Sequence, residues 1–396
     1  MDSDALYWDP YDARFAADPW PLFNRMREEA PLYYNEPHDF YAVSRYADVE
    51  RVLTDTEAYS SARGVMLELI KANMEIPPGT LIMEDPPIHN IHRQLLARVF
   101  SPRRVADLEP QIREYCTACL DPLVGESRFD LIDKLGLEMP MKVIGMLLGI
   151  PEEGQAAFRA ESNAKLLTED GGKMDFSEGA VLSHEAMGDY VDWRYTHPSD
   201  DVMTELINAE FEDENGVTRT LTRDEVVMYV TVIGGAGNET TGRLIGWMGS
   251  TLAKHPEQRA EIAADPSLVP GAVEEVLRFE PPGPFNARYV TRDAEWYGQT
   301  VPAGSAMLCM VGAANRDPRR YDDPDRFDVH RKKGMHLTFI LGPHYCLGSA
   351  LARLEGRVAL EEILKRWPTW DVEWDQAKLQ STSSVRGWET LPLVVR

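Results

Sequence analysis

The chain has 396 residues, 43% of them hydrophobic and 27% charged, an ordinary globular composition with length enough for one large domain or two smaller ones. Its 41 lysines and arginines against 65 aspartates and glutamates leave a net charge of −24, which argues against broad binding to nucleic acid or anionic membrane. Acidity by itself names no chemistry.

The start, MDSDALYWDPYD, has neither a basic opening nor an apolar run, so no secretory signal is read there and a cytoplasmic location is expected. The first half then reads as helices punctuated by prolines: WPLFNRMREEAP, YADVERVLTD, 88–100 and 105–124. Leu32-Tyr33-Tyr34 and Phe40-Tyr41-Ala42-Val43 alternate like strands of a small sheet. Residues 62–82 mix their signals and predict a loop with a short helix. Cys116 and Cys119 form a C-x-x-C inside the 105–124 helix. With no second such pair or His pair after it, they read as small apolar helix residues rather than a redox pair or half a zinc site. The most apolar window, 139–150, is too short and too interrupted to span a bilayer. The Gly-rich, acidic run 168–185 predicts a mobile connection.

From Thr222 to Lys254 runs one long helical pattern, opened by an N-cap threonine and early acids; uninterrupted, it would be roughly 50 Å long. Its middle holds Gly234, Gly235 and Gly237, each costing a helix about 1 kcal/mol against alanine. They allow either close packing of another backbone or a break in the ladder that admits a ligand or water. A helix at 268–279, strand-like pieces at 286–291 and 304–311 (Cys309 a core residue), the loop-rich ANRDPRRYDDPDRF and a helix from Leu347 to Arg366 complete the chain. There is no internal repeat. The expectation is one domain, mainly α with minor β, helix-rich over 85–280 and 347–366 and β-rich over about 30–45 and 285–312.

Just before the last helix stands FILGPHYCLG, residues 339–348. A cysteine at a helix start meets unsatisfied amides and the positive end of the dipole, which should depress the Cys346 thiol toward thiolate. A thiolate can act as nucleophile, zinc ligand or haem ligand. Zinc would need further ligands, where the neighbourhood offers only His344. A nucleophile would want a base that sequence alone cannot place. Haem fits more of the pattern, since Gly342 and Gly348 would let backbone lie against a flat macrocycle and Phe339 could pack beside the sulfur.

Phe339-x-x-Gly342-x-His344-x-Cys346-x-Gly348 resembles the cysteine-ligand loop of the cytochrome P-450 family. Four other stretches resemble that family in the expected order, so the likeness covers nearly the whole chain. Ala236-Gly237-Asn238-Glu239-Thr240-Thr241 is similar to its oxygen-activation motif, and Glu275-Val276-Leu277-Arg278 to its Glu-x-x-Arg motif. Ala314-Asn315-Arg316-Asp317-Pro318 with Asp323-Pro324-Asp325-Arg326-Phe327 resembles the region completing the Glu–Arg network. The segment from Asp85 to Arg93 resembles the His-x-x-x-Arg propionate motif of soluble bacterial members. Ile340 departs from the pattern, where many relatives have glycine.

The resemblance implies the cytochrome P-450 fold, with haem b held between the long central helix and the cysteine-loop helix. Cys346 would be the axial metal ligand, a thiolate raising electron density on the iron. His89, Arg93, Arg288 and His344 would face two haem propionates; His92 falls one position short of the His-x-x-x-Arg pairing. Phe339, Gly342, Gly348 and Ala236 would also border the cofactor. Thr240 would hold water and Glu239 relay protons from solvent, with Thr241 the alternative hydroxyl on another helix face. Substrate contacts would come from 62–82, Val232, Ile233, Ala236, 282–287 with Phe285 and Asn286, and the turn at Val385.

The implied activity is insertion of one oxygen atom from O2 into a hydrophobic small molecule by a monomeric hydroxylase. No G-x-G-x-x-G opens a βαβ unit, so NAD(P)H would act only indirectly, through an iron–sulfur ferredoxin and its reductase. Arg319, Arg320, His330, Arg331, Lys332 and Lys333 could dock such an acidic partner. A peroxide-driven peroxygenase and a non-catalytic haem-binding sensor stand as alternatives.

Overall fold

The computed structural model describes residues 6–12, 17–156, 185–332, 334–380 and 384–396; the expected connection at 168–185 lies, but for its last residue, outside them. Helix outweighs strand by 52% to 13%, as the mainly α expectation requires. Most element boundaries fall within three residues of the sequence reading: helices at Trp20–Glu29, Tyr46–Thr54, Ile88–Ala97 and Val269–Phe279, strands at Leu32–Asn35 and Phe40–Val43. The run 105–124 differs. It is divided into helices Pro102–Asp107 and Glu109–Leu120 and a short 3-10 turn, with Pro110 entering the second helix where its missing N–H costs nothing. Cys116 and Cys119 lie on the second helix, unbridged, their thiols pushed up by burial; no metal-binding group of residues occurs among those described.

The helix Arg223–Lys254 organises the molecule. Thr222 accepts from the Glu225 amide while the Glu225 carboxylate accepts from the Thr222 amide, a reciprocal cap. The helix is continuous across Gly234, Gly235 and Gly237, so the reading of a broken ladder is not what the structure shows. Close packing is: a Cβ on Gly237 would lie 2.8 Å from Ile144 Cδ1 of the helix Glu138–Leu148. From Leu244 to Leu252 the helix is buried on every side, as a sequence apolar all round demands. It packs on Glu138–Leu148, Ser349–Arg366 and Val269–Phe279 around one core holding Ile112, Leu120, Met139, Leu148, Leu252 and Val358, each fully buried and each stabilising by about 1.5–3 kcal/mol.

A five-stranded sheet lies to one side, in the spatial order Leu32–Asn35, Phe40–Val43, Ala306–Cys309, Asn286–Val290 and Tyr59–Ser60. Only the pairing of Phe40–Val43 with Ala306–Cys309 is parallel. Register sets Arg288 opposite Met307 at the sheet's centre, which buries its side chain.

Glu275 and Arg278, three apart on Val269–Phe279, share a face and a buried two-pronged ion pair at 2.8 Å and 2.8 Å. Arg278 also donates to the carbonyls of Asn315 and Pro324, while Glu275 accepts from the Asp328 amide and Arg331 Nε. Asn315 accepts from the Leu337 amide and donates to Thr338 Oγ1. The pair therefore pins the irregular segment 315–331 and the lead-in to the cysteine loop in one network.

Candidate active site

Between the central helix and the start of Ser349–Arg366 lies a cavity of about 300 Å³. Cys346, Gly348, Leu351 and Ala352 line one wall; Tyr229, Val232, Ile233, Ala236, Gly237, Thr240 and Thr241 line another; His89, Arg93, Arg288 and His344 come together at one end. The central-helix residues fall at the i, i+3, i+4, i+7, i+11 spacing of a single helix face.

Cys346 is presented by a loop closed by hydrogen bonds. Its amide donates to the Phe339 carbonyl at 2.9 Å, and the Tyr345 amide to the Gly342 carbonyl at 3.1 Å. Gly342 takes φ +73°, and a Cβ there would sit 2.9 Å from the Leu53 carbonyl oxygen, so it makes the turn rather than facing the cavity. Gly348 does face it, and a Cβ there would meet nothing within 4 Å. Ile340 lies at φ 50°, a conformation that opposes its branched Cβ. Burial pushes the thiol of Cys346 up, against the opposing pull of the Gly348 amide, Arg93 and Arg353. The helix-start effect expected from sequence is thus outweighed in the protein alone, and a thiolate here needs a cation at its sulfur.

Four basic side chains converge with no anion among them. The His89 and His344 rings lie 4.1 Å apart, both nitrogens of His89 and Nε2 of His344 are buried without partners, and Arg288 Nη2 is likewise orphaned. Burial, with His89, Arg288 and Arg93 beside it, pushes His344 down to about 3, and burial lowers Arg288 as well. Arg93 donates to the Tyr345 carbonyl at 2.5 Å. A buried basic cluster whose nitrogens lack partners is costly unless an acceptor completes it. Two carboxylates reaching in from a flat apolar group would do so, and the open face at Gly348 leaves room for that group. The residues present fit a haem bound through Cys346. His92, by contrast, spends its ring on Glu84 at 2.9 Å and does not line the cavity.

Thr240 lines the cavity and donates Oγ1–H to the Ala236 carbonyl at 2.9 Å, leaving its lone pairs toward the open side. Thr241 lines the same cavity, contrary to the expectation that its helix face would separate the two. Glu239 does not reach it: the buried carboxylate is paired with Arg243 one turn on, which also donates to the Trp388 carbonyl at 2.6 Å. Val232, Ile233, Ala236 and Asn286 line the cavity, with Val65, Leu81 and Ile82 from the 62–82 segment. Phe285 is turned away and packs edge-on against Trp8 at 5.4 Å, and Val385 is not part of the lining. Arg319 is paired with Glu28 and Asp317, His330 with Glu261 and Arg331 with Glu275, so much of the basic run near the loop serves the fold; Lys333 lies outside the described residues.

Sequence reasoning passed over several lining residues, among them Leu96, Phe100, Ile144 and Leu351 and two almost fully buried ionisable ones, Tyr229 and Glu355. Tyr229 stands three and four residues before Val232 and Ile233, so helical period could have found it. Glu355 is an acid on an otherwise apolar stripe with Leu351 and Val358; burial holds it well above the usual carboxylate range, and Oε2 has no partner.

Fold and site together define a haem-thiolate monooxygenase. Residues 266–383 match the profile described as cytochrome P450. Cytochrome P450 123 of Mycobacterium tuberculosis is 37% identical over 396 residues, covering 99% of this chain and 97% of that one. The vitamin D(3) 25-hydroxylase of Pseudonocardia autotrophica is 33% identical, covering 98% and 96%. The structure of cytochrome P450 CYP109Q5 from Chondromyces apiculatus superposes with a TM-score of 0.86 at 34% identity, covering 98% of each chain. The chain belongs to the cytochrome P450 family.

Proposed function

We propose that the protein hydroxylates a hydrophobic small molecule in the cytoplasm, with electrons from NAD(P)H delivered through a reductase and an iron–sulfur ferredoxin. The observation that carries the site is the convergence of orphaned His89, His344 and Arg288 beside Cys346 on one apolar cavity. Bound through Cys346, haem supplies O2 activation and oxygen-atom transfer.

The chain's own residues supply the rest. His89, Arg93, Arg288 and His344 hold the cofactor's carboxylates and so fix its orientation. Val65, Leu81, Val232 and Ile233 exclude bulk water and receive the apolar substrate. Thr240 Oγ1, its O–H donated to the Ala236 carbonyl, accepts a hydrogen bond from water and keeps that water at the reacting end. Glu239, held by Arg243 on the neighbouring face, moves protons inward when that pairing loosens. No described helix is long and apolar enough to cross a membrane.

Substrate-dependent consumption of NAD(P)H and O2 with a ferredoxin and its reductase tests the proposal. Thr240→Ala should keep cofactor and substrate binding while diverting about tenfold more of the reducing equivalents to peroxide. Hydroxylation that stays coupled in Thr240→Ala would remove the proton role from Thr240. Turnover with peroxide alone would point to a peroxygenase, and none across a broad substrate panel to a haem-binding sensor.

A further inference from the structure

Among the described residues, the lining residues that carry buried, unpartnered polar atoms fall into three places, one of them Glu355 on the helix that follows Cys346. His89, His344 and Arg288 belong to the cofactor end. Away from them stands the hydroxyl of Tyr229, on a side chain 1% exposed. Other polar side chains of the lining already have partners: Thr240 donates to Ala236, Thr338 to the Leu277 carbonyl, and Asn286 accepts from Arg288. A buried hydroxyl left unsatisfied costs about 1–3 kcal/mol, so an uncompensated one in a ligand cavity marks where a ligand atom belongs.

The surroundings decide which atom. The Tyr229 ring meets His92 edge-on at 5.7 Å, and His92 is occupied by Glu84. Glu225, one turn earlier on the helix, is occupied by Arg219 at 2.8 Å, and Arg219 is further committed to Asp213. This end therefore holds two carboxylates and no cation free for a third. A phenol with raised pKa remains a donor, and burial first, then Glu84 and Glu225, raise that of Tyr229. The matching ligand group is a neutral oxygen acceptor.

Tyr229 precedes Thr240 by eleven residues in an unbroken helix and on the same face. That is about 16 Å of helix rise, which calls for an elongated fused-ring or medium-chain skeleton rather than a single-ring aromatic.

We infer that Tyr229 is a specificity-determining residue. It anchors, by hydrogen-bond donation from its hydroxyl, a ketone, alcohol or ester oxygen at the end of an elongated apolar substrate remote from Thr240 and Cys346. The inference rests on the haem-thiolate reading and names the substrate class for that same cavity.

The test is a titration of the ferric holoenzyme by its substrate-induced spin-state change, using 5α-androstan-3-one, 5α-androstane, methyl dodecanoate and dodecanoic acid. The wild type should bind each neutral oxygenated probe about fivefold or more tighter than its partner. Tyr229→Phe should erase the ketone's advantage over the hydrocarbon while leaving hydrocarbon affinity unchanged. Tyr229→Met, which deletes the hydroxyl with a different side chain, should do the same. Equal binding of ketone and hydrocarbon by the wild type, an advantage that survives in both variants, preference for the free acid, or no response to any probe would each overturn the anchor. The ferrous carbonyl spectrum of each protein keeps the two levels apart. A wild type without the red-shifted Soret band would fail the haem-thiolate reading itself, whereas a normal band with no discrimination fails Tyr229 alone.

Discussion

Two buried clusters of ionisable side chains, one around Glu275 and Arg278 and one around His89, His344 and Arg288, differ in one respect. Around Glu275 and Arg278 every charge is answered by an opposite charge or a main-chain group, from the 2.8 Å ion pair to the carbonyls of Asn315 and Pro324. Around His89, His344 and Arg288 the basic groups face one another with no anion between them, and nitrogens of all three lack partners. The first arrangement is complete without any other molecule and acts on the fold; the second is completed only by an anion and acts on a ligand. Satisfaction of buried charge, rather than burial itself, separates scaffold from site.

That comparison breaks first at the scaffold. Arg278→Ala leaves Glu275 buried with only Arg331 and an amide to answer it, and should cost about 3–5 kcal/mol in denaturant unfolding whether or not haem is bound. A loss below about 1 kcal/mol would show the network to be dispensable.

An intermediate case sharpens it. Glu274 bonds His336 at 3.2 Å and Arg353 through both oxygens, and although burial opposes them, these partners hold it at about 2. A carboxylate depressed in this way contributes stability above its ordinary pKa and loses it as pH falls toward about 2. The stability gap between wild type and Glu274→Gln should therefore be steady near neutrality, about 2 kcal/mol after allowance for partial exposure, and shrink below about pH 4.5. A gap that is flat or widens in acid would contradict the ion pair.

The site should respond with the opposite sign. Arg288→Leu removes an incompletely answered buried cation, so the protein without haem should be as stable or more so, by up to about 1–2 kcal/mol, while haem affinity falls about tenfold or more. Equal destabilisation with and without haem would place Arg288 in the scaffold.

How much of this could be read from the sequence follows the range of the interactions. Cys346 with its flanking glycines, His89 with Arg93, and Glu275 with Arg278 are short motifs whose spacing on a helix or loop already brings their side chains together. What sequence missed depends on distant partners. Glu239 stands next to Thr240 but is drawn off by Arg243, itself oriented by the carbonyl of Trp388 at the far end of the chain. Phe285 adjoins Asn286, yet its ring packs on Trp8, a residue distant in sequence, while the Asn286 side chain lines the cavity. The depressed thiol expected at the helix start ignored the desolvation that only a folded core reveals. Tyr229 was on the right helix face, but nothing local shows that its hydroxyl goes unanswered.

The central claim is that Cys346 ligates haem as a thiolate while the orphaned basic cluster holds the carboxylates. The most direct measurement is the optical spectrum of the reduced carbonyl complex in wild type, Cys346→Ala and Arg288→Leu. A red-shifted Soret band in the wild type, absent in Cys346→Ala and retained at lower haem occupancy in Arg288→Leu, is the predicted result. An unshifted band in the wild type, or a shifted one surviving in Cys346→Ala, would contradict it.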